Sequence, residues 1–542
     1  MTANAALQRL TKDQLLAALK NVQRSNDMLP PREDDKVAGR IANRFVDGIL
    51  ARIAANDYVC APALLVPVPK RAFTTRPAAV ATLRDRIIYE ALVCAARPKI
   101  SRHLISSESL IWPRADESLP SWNNFERAPL EAGGGWVVSA DVAGFYESVD
   151  HSRLDVALAD AGVSSDIRQA IQTHLRSLMG ANRGLPQGVD TSDSLATLYL
   201  SPVDSSLRRS DIRFWRHGDD YRIVTTDYPS ALQAIFELEQ ALRRNSLLLN
   251  SGKLKIEKLG QYSIALQDVD LTTEKFREKM RKAREQALHE STGEELAKAA
   301  EDAGLDDDMQ WRFFYHQTMA KDEFLEALAP SLTPKPVEIV TEMFKDLVDR
   351  RPKEKLPQNL AHARLVFCLR RLAQAKSRDA LPWIGELLIR RPDDTQDLAN
   401  YLLALVDSEP DQVVRACQFA LTNKKHLLDW ERAWIFRVLS RAPERVHKAI
   451  ISTAQDIAVS DTYGWLSRIE ALRLLARRGR LDKNITLRVA RQVPESFQGD
   501  FVGIVAMAEH AGNWAAFYLD GAKQDALQAV VIDGVRAQRQ RA

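Results

Sequence analysis

Between residues 37 and 265 the apolar residues keep two different periods. "WVVSADV" (Trp136 to Val142) and "RFWRH" (Arg213 to His217) are short runs rich in β-branched and aromatic residues, the spacing of strands. "RDRIIYEALVCAARPKI" (Arg84 to Ile100) has helical spacing instead. The mixture predicts an α+β domain. Beyond about residue 270 the strand-like runs fade, and apolar residues recur at helical spacing in segments of roughly 12–18 residues broken by Pro or Gly. "DRRPKE" and "IRRPDD" end two of them, with Arg351 and Arg391 40 positions apart, and "SRAPER" and "ARRGRLD" break later ones. A period near 40 with paired helices is what a HEAT-like or armadillo-like stack produces, and an irregular helical bundle fits the same pattern. At the other end, "LTKDQLLAALKNVQ" predicts an amphipathic helix opened by a Thr11–Gln14 capping box. "NDMLPPREDDK" (Asn26 to Lys36) then reads as a polar, proline-broken linker. The predicted domains are 1–36, helix and linker; 37–265, the α+β domain; 266–330, a basic helical connector; and 331–542, an α-helical repeat domain.

Composition changes this picture little. A chain of 542 residues exceeds what one hydrophobic core usually serves. The net charge is only +3, with 27% charged and 45% hydrophobic residues, so charge has to be read locally. Cys60, Cys94, Cys368 and Cys417 lie far apart without a CxxC, which argues against a disulfide framework or a zinc site and fits a reducing cytoplasm. The first helix carries charges through its apolar spacing, unlike a signal peptide, and no apolar run is long enough for a membrane span.

The candidate chemistry starts at "FWRHGDDYRIVTT", where Asp219 and Asp220 sit side by side at a glycine turn. Alone, Gly-Asp-Asp is an ordinary solvated hairpin tip. Paired carboxylates also hold divalent metal, because like charges this close repel unless a cation bridges them. A third carboxylate is available in "WVVSADVAGFYESVDHSRL", where a buried-type strand ends at Asp141 and a helix starts after the caps Asp150 or Ser152. An aspartate at a strand end facing a hairpin with two more suits two-metal phosphoryl transfer. Between them lies "GLPQGVDTSDSLATLYLSPVD", whose Gly184 and Gly188 allow close backbone approach to a flat ligand. After the hairpin, "LLLNSGKLKIEKLG" reads as strand-like and carries Asn250 and Lys253. That lysine suits a triphosphate or pyrophosphate, and equally an ordinary surface.

In this order and spacing the four blocks resemble the palm of reverse transcriptases: Asp141 with Tyr146 five residues on, the Gly184–Gly188 loop with its following helix, Asp219 and Asp220, then Asn250 and Lys253. The resemblance implies right-hand polymerase fingers and palm, with Asp141, Asp219 and Asp220 as catalytic ligands of Mg2+ (or Mn2+). It places Tyr146 as the sugar gate and Gln187 beside the nascent pair. "VPKRAFTTRPAAVATLRDRIIYEALV" resembles the fingers of bacterial reverse transcriptases, whose basic residues meet incoming triphosphate and template. From Pro67 to His103 there are eight Lys or Arg against two acids, a local positive field. Lys70 and Arg76 are the leading nucleotide-binding candidates and Arg86 a further one; Arg84 and Arg86 flanking Asp85 also fit a structural ion-pair set on a helix. One departure is His217 with Gly218, where most reverse transcriptases carry Tyr two residues before the first Asp. Here the chain is more similar to the Gly-Asp-Asp of viral RNA polymerases. Tyr146 favours deoxynucleotides in the families it resembles.

A polymerase followed by helical repeats, with "LRDRIIYEAL" in its fingers and no His-Asn-His or Cys-rich endonuclease pattern, resembles the bacterial abortive-infection and defence-associated reverse transcriptases. That resemblance implies an antiphage role, homo-oligomers, and in some members DNA synthesis from dNTPs primed by a protein hydroxyl without a template. Tyr58, Tyr315, Tyr401, Tyr463 and Tyr518 are the candidate acceptors outside the palm motifs. An RNA-templated enzyme working with a dedicated non-coding RNA is the alternative, and a catalytically inert nucleic-acid-binding scaffold is a reading of a different class. "TTEKFREKMRKAREQ", with Lys275, Arg277, Lys279, Arg281, Lys282 and Arg284, and "WRFFYH" (Trp311 to His316) suit a product strand, although charged helical faces are commonly just solvated.

Overall fold

The computed structural model describes residues 2–24, 28–70, 74–106, 111–112, 122–264, 266, 276–282, 336–348, 358–424, 426–443, 448–508, 513–523 and 525–539. The predicted capping box is present at the first long helix. The Gln14 side chain accepts from the Thr11 N–H at 2.9 Å, the Thr11 hydroxyl accepts from the Gln14 N–H at 3.3 Å, and the helix runs Lys12–Arg24.

Twelve helices and seven strands are described before residue 259. They are α1 (Thr2–Gln8), α2 (Lys12–Arg24), α3 (Glu33–Ala38), α4 (Ala42–Ala54), β1 (Leu64–Pro69), β2 (Thr75–Val80), α5 (Leu83–Ser106), β3 (Ile111–Trp112), α6 (Trp122–Ala132), β4 (Trp136–Asp141), α7 (Phe145–Ser148) and α8 (His151–Asp160). There follow α9 (Ser165–Met179), α10 (Thr191–Tyr199), α11 (Ser201–Arg209), β5 (Arg213–His217), β6 (Asp220–Thr225), α12 (Tyr228–Arg244) and β7 (Lys255–Lys258). β1 and β2 form a separate antiparallel hairpin, and the central sheet has the order β3-β5-β6-β4-β7. β4 lies antiparallel between β6 and β7. The strand-like reading of residues 247–260 is realised only at β7, because Ser251, Gly252 and Lys253 form a turn ahead of it.

Register explains which side of the sheet does what. Ala140 pairs with Tyr221 and Val138 with Ile223, and these four side chains belong to the core. Asp141 pairs with Asp220 and Ser139 with Arg222, which therefore point to the opposite face. A slip of one residue would drive the carboxylates into the apolar side and strand Tyr221 and Ile223 outside it, each worth roughly 1.5–3 kcal/mol of burial.

The chain divides into two compact units, residues 1–264 with 424–542, and residues 265–423. The expected repeat domain of 331–542 is therefore split near residue 424. The second unit holds α13 (Pro336–Val348), α14 (Gln358–Gln374), α15 (Leu381–Arg390), α16 (Thr395–Leu405) and α17 (Pro410–Asn423). Here α13 packs on α14, while α14 packs on α16 and α15 on α17, each on the helix two places along. In the first unit, α18 (Asp429–Arg441), α19 (Lys448–Val459), α20 (Trp465–Arg477), α21 (Lys483–Ala490), α22 (Glu495–Met507), α23 (Asn513–Ala522) and α24 (Ala526–Arg539) show the same alternation, α18 on α20, α20 on α22 and α22 on α24. Among the described residues no helix is long and apolar enough to cross a membrane.

The segment read as a solvated linker is instead the seam that joins the chain's two ends. Arg32, Glu33 and Asp34 are only 5%, 2% and 5% exposed. Arg32 donates to Asp500 at 2.9 Å, to Asp34 at 2.9 Å and to the Ala81 carbonyl at 2.6 Å, so one guanidinium links the linker, α22 and the strand-to-helix turn before α5. Glu33 lies against Arg473, which also pairs with Glu470 and Asp500, both at 3.2 Å. Burial alone would raise the Glu33 carboxyl, yet Arg473, Lys36 and Arg437 hold it down at about 2. Trp430 Nε1 donates to the Met28 carbonyl at 2.6 Å, and Arg437 to that of Pro31 at 2.5 Å. A polar pattern predicts exposure unless partners exist. Here the partners lie more than 400 positions away, beyond the reach of any local pattern. Removing one member leaves its buried carboxylate partners short of countercharge, so Arg473→Ala should lower unfolding stability by roughly 3–5 kcal/mol. Chemical denaturation followed by tryptophan fluorescence would measure the loss; a change below about 1 kcal/mol would mean the seam is solvated after all.

Candidate active site

Asp219 and Asp220 are placed by a two-residue hairpin. His217 pairs with Asp220 across the β5–β6 ladder, leaving Gly218 and Asp219 as the loop. Gly218 has φ +60°, and Asp219 is not among the residues with positive φ, the pattern of a type II′ turn with glycine in its first loop position. The turn is fixed from the core side by Arg216. This fully buried guanidinium donates Nε to Asp204 Oδ1 at 2.9 Å, Nη2 to Asp204 Oδ2 at 2.6 Å and Nη1 to the Gly218 carbonyl at 2.8 Å. The Tyr221 hydroxyl adds a hydrogen bond to Asp204 at 3.2 Å. A bidentate pair whose carboxylate takes a further hydrogen bond is the geometry in which a buried ion pair holds its place.

The third carboxylate arrives through register. Asp141, 5% exposed, is the last residue of β4 and sits opposite Asp220. Ligand oxygens of Asp141, Asp219 and Asp220 lie within 4.8 Å of one another. Asn250 donates its amide to Asp141 Oδ2 at 2.8 Å and Lys253 its ammonium to Oδ1 at 3.0 Å. Asn250 also donates its backbone N–H to the Asp141 carbonyl at 2.8 Å, so the turn before β7 is tied to the strand end. Three oxygens from carboxylates, with no sulfur or imidazole, form a hard donor set suited to Mg2+ or Mn2+. The charge state agrees. Burial, then the neighbouring Asp141 charge, raises the Asp219 carboxyl. Burial and Asp219 raise Asp220 to about 7. A second group, His362, Asp393 and Asp394, also has converging ligand atoms. There Arg391 already neutralises Asp394 at 2.8 Å and His362 bonds its other oxygen.

The sequence-predicted nucleotide residues fall into two sets. Lys70, in the β1–β2 connection, and Lys253 both exert their positive field on Asp219. Tyr146 follows Gly144 in the short helix α7, and its hydroxyl donates to Asp193 at 2.6 Å. The Gly184–Gly188 loop is bound to this segment by its backbone, since Leu185 N–H donates to the Tyr146 carbonyl and Gly184 N–H to that of Val149, each at 2.7 Å. Gly184 has φ +93°, and a Cβ there would meet the Met179 methyl at 3.1 Å. Gln187 accepts from the Ala79 N–H at 2.9 Å, which joins the loop to β2. Arg76 lies half-buried on β2 opposite Val68.

The other set is structural. Arg84 binds Asp85 at 3.0 Å and Glu495 at 2.9 Å, and Arg86 pairs with Asp35, so both charges are spent within the protein. Their alternation with Asp85 marks an ion-pair set, the other reading open from the sequence. Lys279 likewise pairs with Glu342 at 3.5 Å and Asp346 at 3.4 Å, and Lys282 with Glu278 at 2.7 Å. Lys275, Arg284 and Trp311 to His316, Tyr315 included, lie outside the described residues. Sequence reasoning missed Arg216, Asp204, Asp193 and Arg222. The last stacks over Phe125 at 4.9 Å and reaches Glu126 at 3.7 Å and Asp220 at 4.0 Å. The available signal for Arg216 was its place on the core side of a strand, where a charge needs a partner.

With this geometry in place, the comparisons are specific. Residues 68–282 match the family model described as reverse transcriptase (RNA-dependent DNA polymerase). Both carboxylate blocks, the Gly184–Gly188 loop and Lys253 fall inside that range. Protein YkfC of Escherichia coli (strain K12) is 23% identical, in an alignment covering 38% of this chain; the chain spans 65% of YkfC's own length. Among solved structures, telomerase from Candida albicans with a fragment of telomeric RNA shares 10% identity over 73% of this chain and 64% of that one, with a TM-score of 0.30. Apo telomerase from Candida tropicalis gives 9%, 91%, 74% and 0.29, and an RdRp complex 12%, 90%, 50% and 0.30. The family match begins within β1 and takes in β2 and all five strands of the central sheet.

The raised carboxyls predict a pH dependence for metal-free protein. Asp220 holds its proton to about 7 in the folded state against 3.8 ordinarily, so the folded state binds more protons between those values and stability falls as pH rises through them. Asp220→Asn removes that loss. In chelator, the melting temperature of the variant should exceed that of wild type by more at pH 8 than at pH 5, and added Mg2+ should narrow the gap. A gap independent of pH would show that the carboxylates do not repel.

Proposed function

We propose that this protein is an RNA-directed DNA polymerase that joins deoxynucleotides by metal-dependent nucleotidyl transfer. The observation that carries the reading is the convergence of Asp141, Asp219 and Asp220 within 4.8 Å, inside a domain matching the reverse-transcriptase family. When bound there, divalent cations would lower the pKa of an attacking 3′ hydroxyl and neutralise the departing pyrophosphate. The chain's own groups supply the rest. Lys253, whose side chain is 64% exposed, would be free to face triphosphate oxygens together with Lys70 when Asp141 holds a cation. Tyr146 presents its ring where a ribose 2′ hydroxyl would sit, and the Gln187 loop lines the nascent pair. Arg76 extends the positive field along β2.

The resemblance to abortive-infection and defence-associated enzymes extends the proposal to antiphage defence in the cytoplasm, in homo-oligomers, with DNA grown from a protein hydroxyl without a template. The alternating helix packing of α13 to α17 and α18 to α24 supports a HEAT-like organisation for the helical segments. Of the tyrosines suited to priming, Tyr58 donates to Asp85 at 3.0 Å and its burial and Asp85 raise its pKa well above the ordinary value, which makes it a poor nucleophile. Tyr401 donates to the Ser377 carbonyl at 2.7 Å. Burial raises Tyr518, edge-on to Phe501, as well, so Tyr463, beneath the Arg432 guanidinium at 4.8 Å, remains the better candidate among the described residues.

The test is purified protein with Mg2+ and labelled dNTPs, supplied with primed RNA or with no nucleic acid. Incorporation is expected, and Asp141→Asn or Asp219→Asn should reduce it roughly a thousandfold or more, the scale of several kcal/mol of charge stabilisation. Full activity in either variant would sink the assignment. Product that survives denaturation on the protein and is freed by protease supports protein priming; free product copying an added or co-purified RNA supports templated synthesis.

A further inference from the structure

Tyr146 is held at both ends. Its backbone carbonyl accepts from Leu185 in the Gly184–Gly188 loop, and its hydroxyl donates to Asp193 at 2.6 Å. Asp193 lies in the first turn of α10, where the helix dipole favours a negative charge. That turn is itself locked to its surroundings. The Ser192 hydroxyl donates to the Pro186 carbonyl at 2.8 Å and meets the Tyr89 hydroxyl at 3.3 Å, and the Thr191 hydroxyl donates to Glu90 at 2.6 Å. The carboxylate is therefore a fixed point. A tyrosine ring tethered at its tip to a fixed acceptor loses the swing about χ1 and χ2 that an untethered ring keeps.

We infer that Asp193 is a positioning residue for the sugar gate: by holding the Tyr146 hydroxyl, it fixes the ring against which a nucleotide's 2′ position is tested, and so sets the preference for deoxyribose over ribose. This rests on the polymerase reading above and deepens it. Two features argue for a role beyond structure. The hydrogen bond joins the segment after β4, which carries Asp141, to the helix after the Gln187 loop, so it spans the nucleotide position from both sides. The far side of Asp193 borders a cavity of about 530 Å3, also lined by Glu90, Arg97 and Asp190, so shortening the side chain does not empty a packed core. Burial, with Asp190 nearby, raises the Asp193 carboxyl to about 6, and the hydrogen bond from Tyr146 is what favours its ionised form.

The experiment compares wild type with Asp193→Ala, Asp193→Asn, Tyr146→Phe and the Tyr146→Phe/Asp193→Ala double variant, reading kcat/KM for a dNTP and the matching rNTP and the crystal structure of Asp193→Ala. Loss of one hydrogen bond to a charged acceptor should cut the deoxy-over-ribo preference by roughly tenfold to a hundredfold in Asp193→Ala. Asn still accepts the phenol proton and should restore much of it. Tyr146→Phe should match Asp193→Ala, and the double variant should be no worse than either single one. An unmoved ring in the Asp193→Ala structure, or a moved ring with unchanged discrimination, would overturn the inference. A ring that moves in a protein whose wild type incorporates neither nucleotide would leave the tether standing as geometry and refute the polymerase reading on which its purpose rests.

Discussion

Three carboxylates whose oxygens lie within 4.8 Å repel one another, and much of the first unit's architecture serves to hold them there. Antiparallel register sets Asp141 against Asp220, a glycine at positive φ puts Asp219 at the tip, and Arg216 clamps that tip from the core side through Asp204. Asn250 and Lys253 then occupy both oxygens of Asp141. The lysine is a resident cation doing in part what a divalent ion would do completely. The cost of this preorganisation shows in the raised carboxyls of Asp219 and Asp220. A site that keeps its charges close in advance has little rearranging left to do when the substrate arrives.

The same logic of paired charge runs through the seam between the chain's ends. Arg32 touches the turn ahead of α5, and Arg84 and Arg86, at the start of that helix, are held by Glu495 and Asp35. The C-terminal helices therefore fix the base of an element whose other neighbours include α2, α9 and α10. Among the described residues, Lys70, Lys253 and Arg222 are basic residues whose field reaches the carboxylates. Setting the cations paired within the protein apart in this way narrows the positive field that the sequence alone spread over eight residues.

Legibility followed distance along the chain. The strand ending at Asp141, the Gly-Asp-Asp turn, the capping box at Thr11 and the helix from Leu83 are each written in one continuous stretch of chain, and local patterning was enough to find them. The burial of Arg32 to Asp34, the division near residue 424, the clamp from Arg216 to Asp204 and the bond from Tyr146 to Asp193 depend on partners 12 to 468 positions apart. Alternation of apolar and polar residues marks a charge as exposed unless its partner is known. The strand-like run after Leu247 failed for a different reason, since Ser-Gly-Lys makes a turn that leaves only Lys255–Lys258 in the sheet.

The central claim is that the register-set carboxylates bind the divalent ions of nucleotidyl transfer. Mn2+ binding, followed by electron paramagnetic resonance in the presence of a non-hydrolysable deoxynucleoside triphosphate, tests it most directly. The account predicts saturable binding in the wild-type protein that weakens by roughly a hundredfold or more in an Asp141→Asn/Asp220→Asn variant of unchanged fold, since two charged ligands are lost at once. Equal Mn2+ affinity in the two proteins would contradict it.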